Sequence, residues 1–189
     1  MTVGFALCGS FCTYHKVFPI MEQLSKDYDL IPIFSHCAYT TSSRFGTAQE
    51  HIRRASDICG KAPICSIEEA EPIGPKKLLD ALIIAPCTGN TLAKLSHGIA
   101  DGPVTMAAKS HLRNGRPVLV AVSTNDALSA AAENIGRLLA RKHYYFVPFG
   151  QDDPIGKPSS LIAEMSLLPD TLRSAMEGKQ LQPLLIGKS

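Results

Sequence analysis

Five short apolar runs, at residues 3–8, 30–35, 81–85, 118–123 and 144–147, recur along the chain at wide intervals. Each is too short for a helix and too continuous for a strand with one wet face, so they predict central parallel strands buried on both sides. Residues 64–67 are a weaker run, predicting a sixth strand that is third in chain order. Between the runs the period changes. Val17, Ile20, Met21 and Leu24 fall at i, i+3, i+4 and i+7, and Leu128, Ile135, Leu138 and Leu139 repeat the stripe. Helices with one apolar face show this spacing.

Strand and helix alternating in this way predict an α/β fold, a doubly wound, Rossmann-like parallel sheet in three α/β/α layers. In the strand order 3-2-1-4-5, the turns after the first and fourth strands flank the point where the order reverses, and ligands bind there, outside the carboxyl ends. The chain turns small and polar at those two places, "GSFC" at residues 9–12 and "PCTGNT" at residues 86–91.

After Gly150 the pattern breaks. "GQDDPIGKP" gathers turn formers into one exposed loop, which sets a boundary between a domain over residues 1–150 and a tail over residues 151–189. Short helices are expected at residues 160–165 and 168–178, and "LQPLLIG" reads as an apolar arm that packs on the domain or on a neighbouring subunit.

Composition narrows the classes. At 189 residues and 45% hydrophobic content the chain can bury one full core. The formal charge of +2, from 19 basic and 17 acidic residues without a basic block, argues against a nucleic-acid partner. No apolar run approaches the roughly 18 residues a spanning helix needs, and the start lacks a basic leader, so a cytoplasmic protein with no membrane partner is expected. Six cysteines without a CxxC pair read as a reduced set with no metal site. Cys8, Cys37 and Cys87 each close an apolar run and should gather along one sheet edge as small buried hydrophobes.

The turns carry the candidate chemistry. Gly9 and Ser10 precede a helix expected to begin at Thr13 as its N-cap, so N–H groups and a hydroxyl converge where one phosphate can sit. The three glycines of a dinucleotide fingerprint are missing, which favours a mononucleotide. The next turn, "SHCAYTTSSRFG", supplies Ser35, Ser42, Ser43 and Arg44, hydroxyls around one cation able to grip an anion bidentately; it serves equally well as a solvated loop capping a helix near Thr47. Thr88, Gly89, Asn90 and Thr91 offer hydroxyls, an amide and close backbone approach to a heterocycle. Ser123 and Asn125 reach the same edge from the following strand.

"CGSFC", "APCTGNTLAKLSHGIAD" and "STNDAL", with Asn134 opening the next helix, are similar to the flavoprotein family of FMN-dependent decarboxylases and prenyl-flavin synthases. "TTSSRFG", "EPIGPKKLLDALIIAPCTGNT", "MAAKSHLRNGRPV" and "VPFGQDDPIGKP" resemble a narrower branch of it from spore-forming bacteria. This likeness implies FMN as cofactor. Gly9, Ser10, Phe11 and Ser35 would surround its phosphate and ribityl chain, with Thr88, Gly89, Asn90, Thr91 and Ser123 around the remainder. The narrower likeness implies an oxidoreductase subunit that works with a partner chain carrying NAD(P), in the cytoplasm of the sporulating mother cell. Together they would oxidise a dihydropyridine dicarboxylate to the aromatic dicarboxylate, and a homo-oligomer is implied. A stand-alone FMN-dependent decarboxylase and a non-catalytic scaffold subunit are the alternatives. The family's decarboxylases place a catalytic histidine after the paired serines, where this chain has Arg44 and Phe45. The catalytic residue is therefore unassigned. Arg44, Ser42, Ser43 and Asn125 are the expected ligands of a dicarboxylate substrate, with Lys76 and Lys77 as weaker candidates, and His36 and His51 read as structural or surface histidines.

Overall fold

The computed structural model describes residues 1–187, so the last two positions of the expected 151–189 tail lie outside the described residues. Four long parallel strands form the centre: β1 (Thr2–Leu7), β2 (Asp29–Phe34), β3 (Ala81–Cys87) and β4 (Val118–Thr124). They lie in the order β2-β1-β3-β4, and short β5 (Tyr144–Phe146) continues the parallel set beside the first half of β4. The residues of β3 are all buried, as a continuous apolar run in a two-sided sheet requires.

The weaker run at residues 64–67 is a correction. It contributes one bridge, Ile64 beside Ile33, with Phe34 N–H donating to the Ile64 carbonyl at 2.9 Å and Ile64 N–H to the Pro32 carbonyl at 2.8 Å. A helix, α4 (Ile67–Ala70), then starts where the strand was expected, because the Ser66 hydroxyl and Glu69 carboxylate cap its first turn reciprocally. Counting that bridge as the outer position gives the expected 3-2-1-4-5 order.

Helices cover both faces. α1 (Tyr14–Leu24), α3 (Ala48–Cys59) and α8 (Leu168–Met176) pack on one side; α4, α5 (Gly89–His97), α6 (Pro103–Leu112) and α7 (Ala132–Leu139) pack on the other, completing three layers. In α1, Val17, Phe18, Met21 and Leu24 are buried, close to the stripe read from the sequence. In α7 only Ile135 and Leu138 of the expected stripe are buried; Leu128 precedes the helix in an exposed turn. Thr13 falls at the N-cap position of α1, yet its hydroxyl donates back to the Ser10 carbonyl at 2.6 Å, because a 3-10 turn over Phe11–Thr13 already leads into the helix. The expected loop after β2 holds a short helix, α2 (His36–Thr40), capped by Ser35.

Residues 160–165, expected to be helical, instead supply β7 (Leu161–Ala163) and the start of a 3-10 turn. β7 pairs antiparallel with the end of β4, Ser123 opposite Ile162, and with β6 (Phe149–Gly150) on its other side. Beyond it α8 matches the helix expected from residue 168, and its Leu168, Leu172 and Ala175 join the core.

Candidate functional site

All four long strands end at one edge of the sheet, and their turns meet there. Ser35 N–H donates to the Leu7 carbonyl at 2.9 Å, holding the β2 turn against the β1 turn. The Thr91 hydroxyl donates to Cys8 Sγ at 3.4 Å, tying the first turn of α5 to the end of β1. Ser10 Oγ and Ser123 Oγ are 2.8 Å apart, joining the β1 and β4 turns.

Two glycines let the turns close. A Cβ at Gly9 would lie 2.8 Å from Cys37 Sγ, and a Cβ at Gly89 would lie 2.8 Å from both Thr124 Oγ1 and Asp126 Oδ1. Both positions therefore exclude a side chain so that neighbouring turns can approach.

Two cavities flank this junction and share Gly9 and Thr88. The larger, about 490 Å³, is lined by Ser10, Phe11, Ser43, Arg44, Ser123 and Asn125, together with residues of the tail. The other, about 410 Å³, is lined by Ser35, His36, Cys37, Asn90 and Thr91 on one side and by Lys94, Asp101 and the start of α6 on the other. Most of the residues singled out from sequence thus line one or the other of these two adjoining cavities.

Two do not. Gly89 lines neither cavity, its place being the close contact with the β4 turn. The Ser42 hydroxyl faces α3, accepting from Ala48 N–H at 3.2 Å. Lys76 and Lys77 lie before the amino end of β3, at the far edge from the cleft.

Arg44 is exposed on the cavity rim, its guanidinium 4.9 Å from the Phe45 ring centre. Beneath that loop His51 is 7% exposed and sits among Phe11, Tyr14 and Phe18, with ring centres 4.7 to 6.1 Å away. Burial lowers its pKa, the Glu50 carboxylate opposing this and Arg54 adding to it. A neutral imidazole in an aromatic cage is a packing element, which agrees with the structural reading.

Cys8 and Cys87 are buried while Cys37 is exposed on the second cavity. Desolvation pushes the Cys8 thiol up to about 11 despite hydrogen bonds from Thr91 and Thr88, and Cys87 rises well above its ordinary value for the same first reason. These two are protonated packing groups at neutral pH. Among the described residues no cluster of three or more His, Cys, Asp or Glu side chains is placed to hold a metal ion.

The sequence reading missed the outer wall of the larger cavity, where Asp152, Lys157, Ser160, Leu161 and Ile162 line it from the tail. It also missed the α6 wall of the second cavity. "GQDDPIGKP" carried turn chemistry but no spacing that told where β7 would return.

A hydroxyl-lined cleft at the reversal point of an open, mainly parallel sheet is where doubly wound α/β proteins place their ligands, and the flavoprotein family profile matches residues 1–177. The chain belongs to the flavoprotein family. It is 46% identical over 185 residues to the B-type subunit of dipicolinate synthase from Bacillus subtilis strain 168, covering 97% of this chain and 92% of that one. Its fold is similar to the crystal structure of the B-type subunit of dipicolinate synthase from Bacillus halodurans, with a TM-score of 0.91 and 48% identity across 100% of this chain and 97% of that one. The fold alone is shared with the FMN-dependent cysteine decarboxylase SpaF, at a TM-score of 0.70 and 23% identity over 93% of this chain and 97% of that one. No helix among the described residues is long and apolar enough to cross a membrane.

Proposed function

We propose that this chain is the FMN-binding B-type subunit of a dipicolinate synthase, acting with a nicotinamide-binding A-type subunit to oxidise a dihydrodipicolinate-type precursor to dipicolinate. The observation that carries the reading is the pair of cavities joined across Gly9 and Thr88, in a chain related along nearly its whole length to the B-type subunit of dipicolinate synthase.

The donor set suits FMN, which has a phosphate at one end of a flexible chain and a flat ring at the other. Ser10, Phe11 and Ser123 line the larger cavity, Ser35, Asn90 and Thr91 the smaller, and Gly9 and Thr88 line both. Thr88, whose hydroxyl accepts from Thr91 N–H at 3.3 Å, presents the start of α5 toward the cleft, where N–H groups favour a negative or electron-rich partner. When bound, FMN supplies a hydride acceptor.

The chain's own task is orientation and charge. Arg44 and Ser43 on one rim, and Asn125 on the β4 side, face the larger cavity and can hold a carboxylate of the substrate. Pyridine dicarboxylates carry two such groups. Aromatisation removes one hydride and one proton from the substrate; the hydride would go either to bound FMN or to the NAD(P) of the A-type subunit and the proton to solvent, and the aromaticity gained by the product drives the reaction. The working assembly is a homo-oligomer of this chain with the A-type subunit, in the cytoplasm of the sporulating mother cell.

The SpaF-like fold favours a second reading, a stand-alone FMN-dependent decarboxylase, but Arg44 stands where that chemistry would have its histidine. Reconstitution separates the readings. The chain should oxidise a dihydrodipicolinate-type substrate only with its nicotinamide-binding partner present. Carbon dioxide release by the chain alone with FMN would support the decarboxylase reading, and full synthase activity from the A-type subunit alone would leave this chain a scaffold.

A further inference from the structure

Two cationic side chains line the larger cavity. Arg44 lies on the loop beyond β2; Lys157 lies on the loop between β6 and β7, which rests against β4. Gly9, Ser10, Thr88 and Ser123, which also line the cavity, are uncharged.

We propose that Lys157 is the second carboxylate ligand of this cavity and that, with Arg44, it selects a dicarboxylate over a monocarboxylate. The proposal rests on the reading of the cavity as the site of a pyridine dicarboxylate.

The loop that carries Lys157 is built to present it. Gly156 N–H donates to Asp153 Oδ1 and Lys157 N–H to the Asp153 carbonyl, each at 2.8 Å, while Ser160 N–H donates to the Lys157 carbonyl at 3.0 Å. The Gln151 amide closes the base of the loop on the Pro158 carbonyl at 2.8 Å. Its backbone is therefore ordered by its own turn, and the ammonium remains on the cavity wall.

There its ionic contact is Asp152 Oδ2, at 3.5 Å, with the lysine side chain 56% exposed. A pair so long and so wet is weak, and an arriving carboxylate can share the ammonium at little cost. Asp152 also explains why the effect should fall on dianions. The charged side chains lining the cavity are Arg44, Lys157 and Asp152, one net positive charge. Without Lys157, a second carboxylate would approach Asp152 with no cation between them; a ligand with one carboxylate can stay on Arg44 and avoid it.

Calorimetric titration of the full chain with pyridine-2,6-dicarboxylate and with pyridine-2-carboxylate, in metal-free buffer of low ionic strength, tests this. The wild-type protein should prefer the dicarboxylate by roughly tenfold or more, as one extra charge-assisted contact implies. Lys157→Met should shrink that preference to about twofold by weakening dicarboxylate binding alone, and Lys157→Arg should restore it. A Lys157→Met protein that keeps the full preference, or that loses both ligands equally, would overturn the assignment of Lys157. A wild-type protein that binds no dicarboxylate would overturn the functional reading itself, and it would do so before any variant is compared.

Discussion

Both edges of the sheet carry polar side chains and use them differently. At the amino edge, Ser110 accepts from Gly74 N–H at 3.2 Å and donates to the Glu71 carbonyl at 2.6 Å, and the Asn114 amide donates to the Gly74 carbonyl at 2.9 Å. His111, fully buried, donates from Nε2 to the Pro117 carbonyl at 3.1 Å. Arg116 reaches the Leu79 carbonyl and Asp80, whose carboxylate also accepts from Thr2 N–H at 2.9 Å. These groups close mainly on backbone, although His111 Nδ1 is buried without a hydrogen-bond partner. At the carboxyl edge, hydroxyls pair with one another, as Ser10 does with Ser123, and their remaining capacity faces open volume. A polar group saturated by backbone holds the fold, whereas one beside a cavity keeps capacity for a ligand.

If that contrast is correct, perturbing the amino edge should cost stability and perturbing the carboxyl edge should cost binding. The largest effect is expected at His111, whose pKa burial pushes down to about 4 from an ordinary 6.5. Between those values the unfolded chain takes up a proton that the folded chain refuses. Stability should therefore be flat above about pH 7 and fall by as much as about 3 kcal/mol as the pH drops toward 4. His51, also lowered, adds in the same direction. Urea midpoints across that range, for wild type and His111→Gln, measure it, and a pH slope unchanged in the variant would exclude His111 as its source.

Ser110→Ala strands a buried N–H and a carbonyl and should cost about 2 kcal/mol in chemical denaturation. Ligand titrations of the folded variant should match wild type. A loss of binding would show that the two edges are not independent.

At the carboxyl edge, Arg44→Ala should weaken pyridine dicarboxylate binding by about 1 to 2 kcal/mol, less than a buried ion pair would give because Arg44 is exposed. Its melting temperature should stay within about one degree of wild type, since exposed substitutions rarely change stability. Ser123→Ala should cost the fold less than about 1 kcal/mol while reducing FMN affinity by roughly tenfold. A Ser123→Ala protein that melts early yet binds normally would place that hydroxyl with the amino-edge groups.

The framework was legible because strands buried on both faces leave continuous apolar runs and α1 leaves a clean stripe. α6 left none. Val104, Thr105, Ala107, Ala108, Ser110 and His111 are buried on a helix whose polar members bond to the backbone of neighbouring segments, so its burial does not follow hydrophobic period. β7 was hidden for another reason: three residues held by pairing with β4 and β6 carry no local signal. The cleft's floor was readable from small polar residues following each strand, and its tail-side wall, with Lys157, was not. Ser42 and Gly89 show the limit of that rule, because a small polar residue in such a turn can equally cap a helix or permit a close approach.

The central claim is that the turns after the strands form one cleft passing over Gly9, able to take FMN lengthwise. Titration of FMN into wild type and Gly9→Val in parallel, followed by flavin absorbance and fluorescence, tests it most directly. Wild type should bind one FMN per chain saturably, and Gly9→Val, whose Cβ would press on Cys37 Sγ and force the β2 turn away from the β1 turn, should lose that binding. Equal binding by both proteins, or no binding by wild type, would contradict the claim.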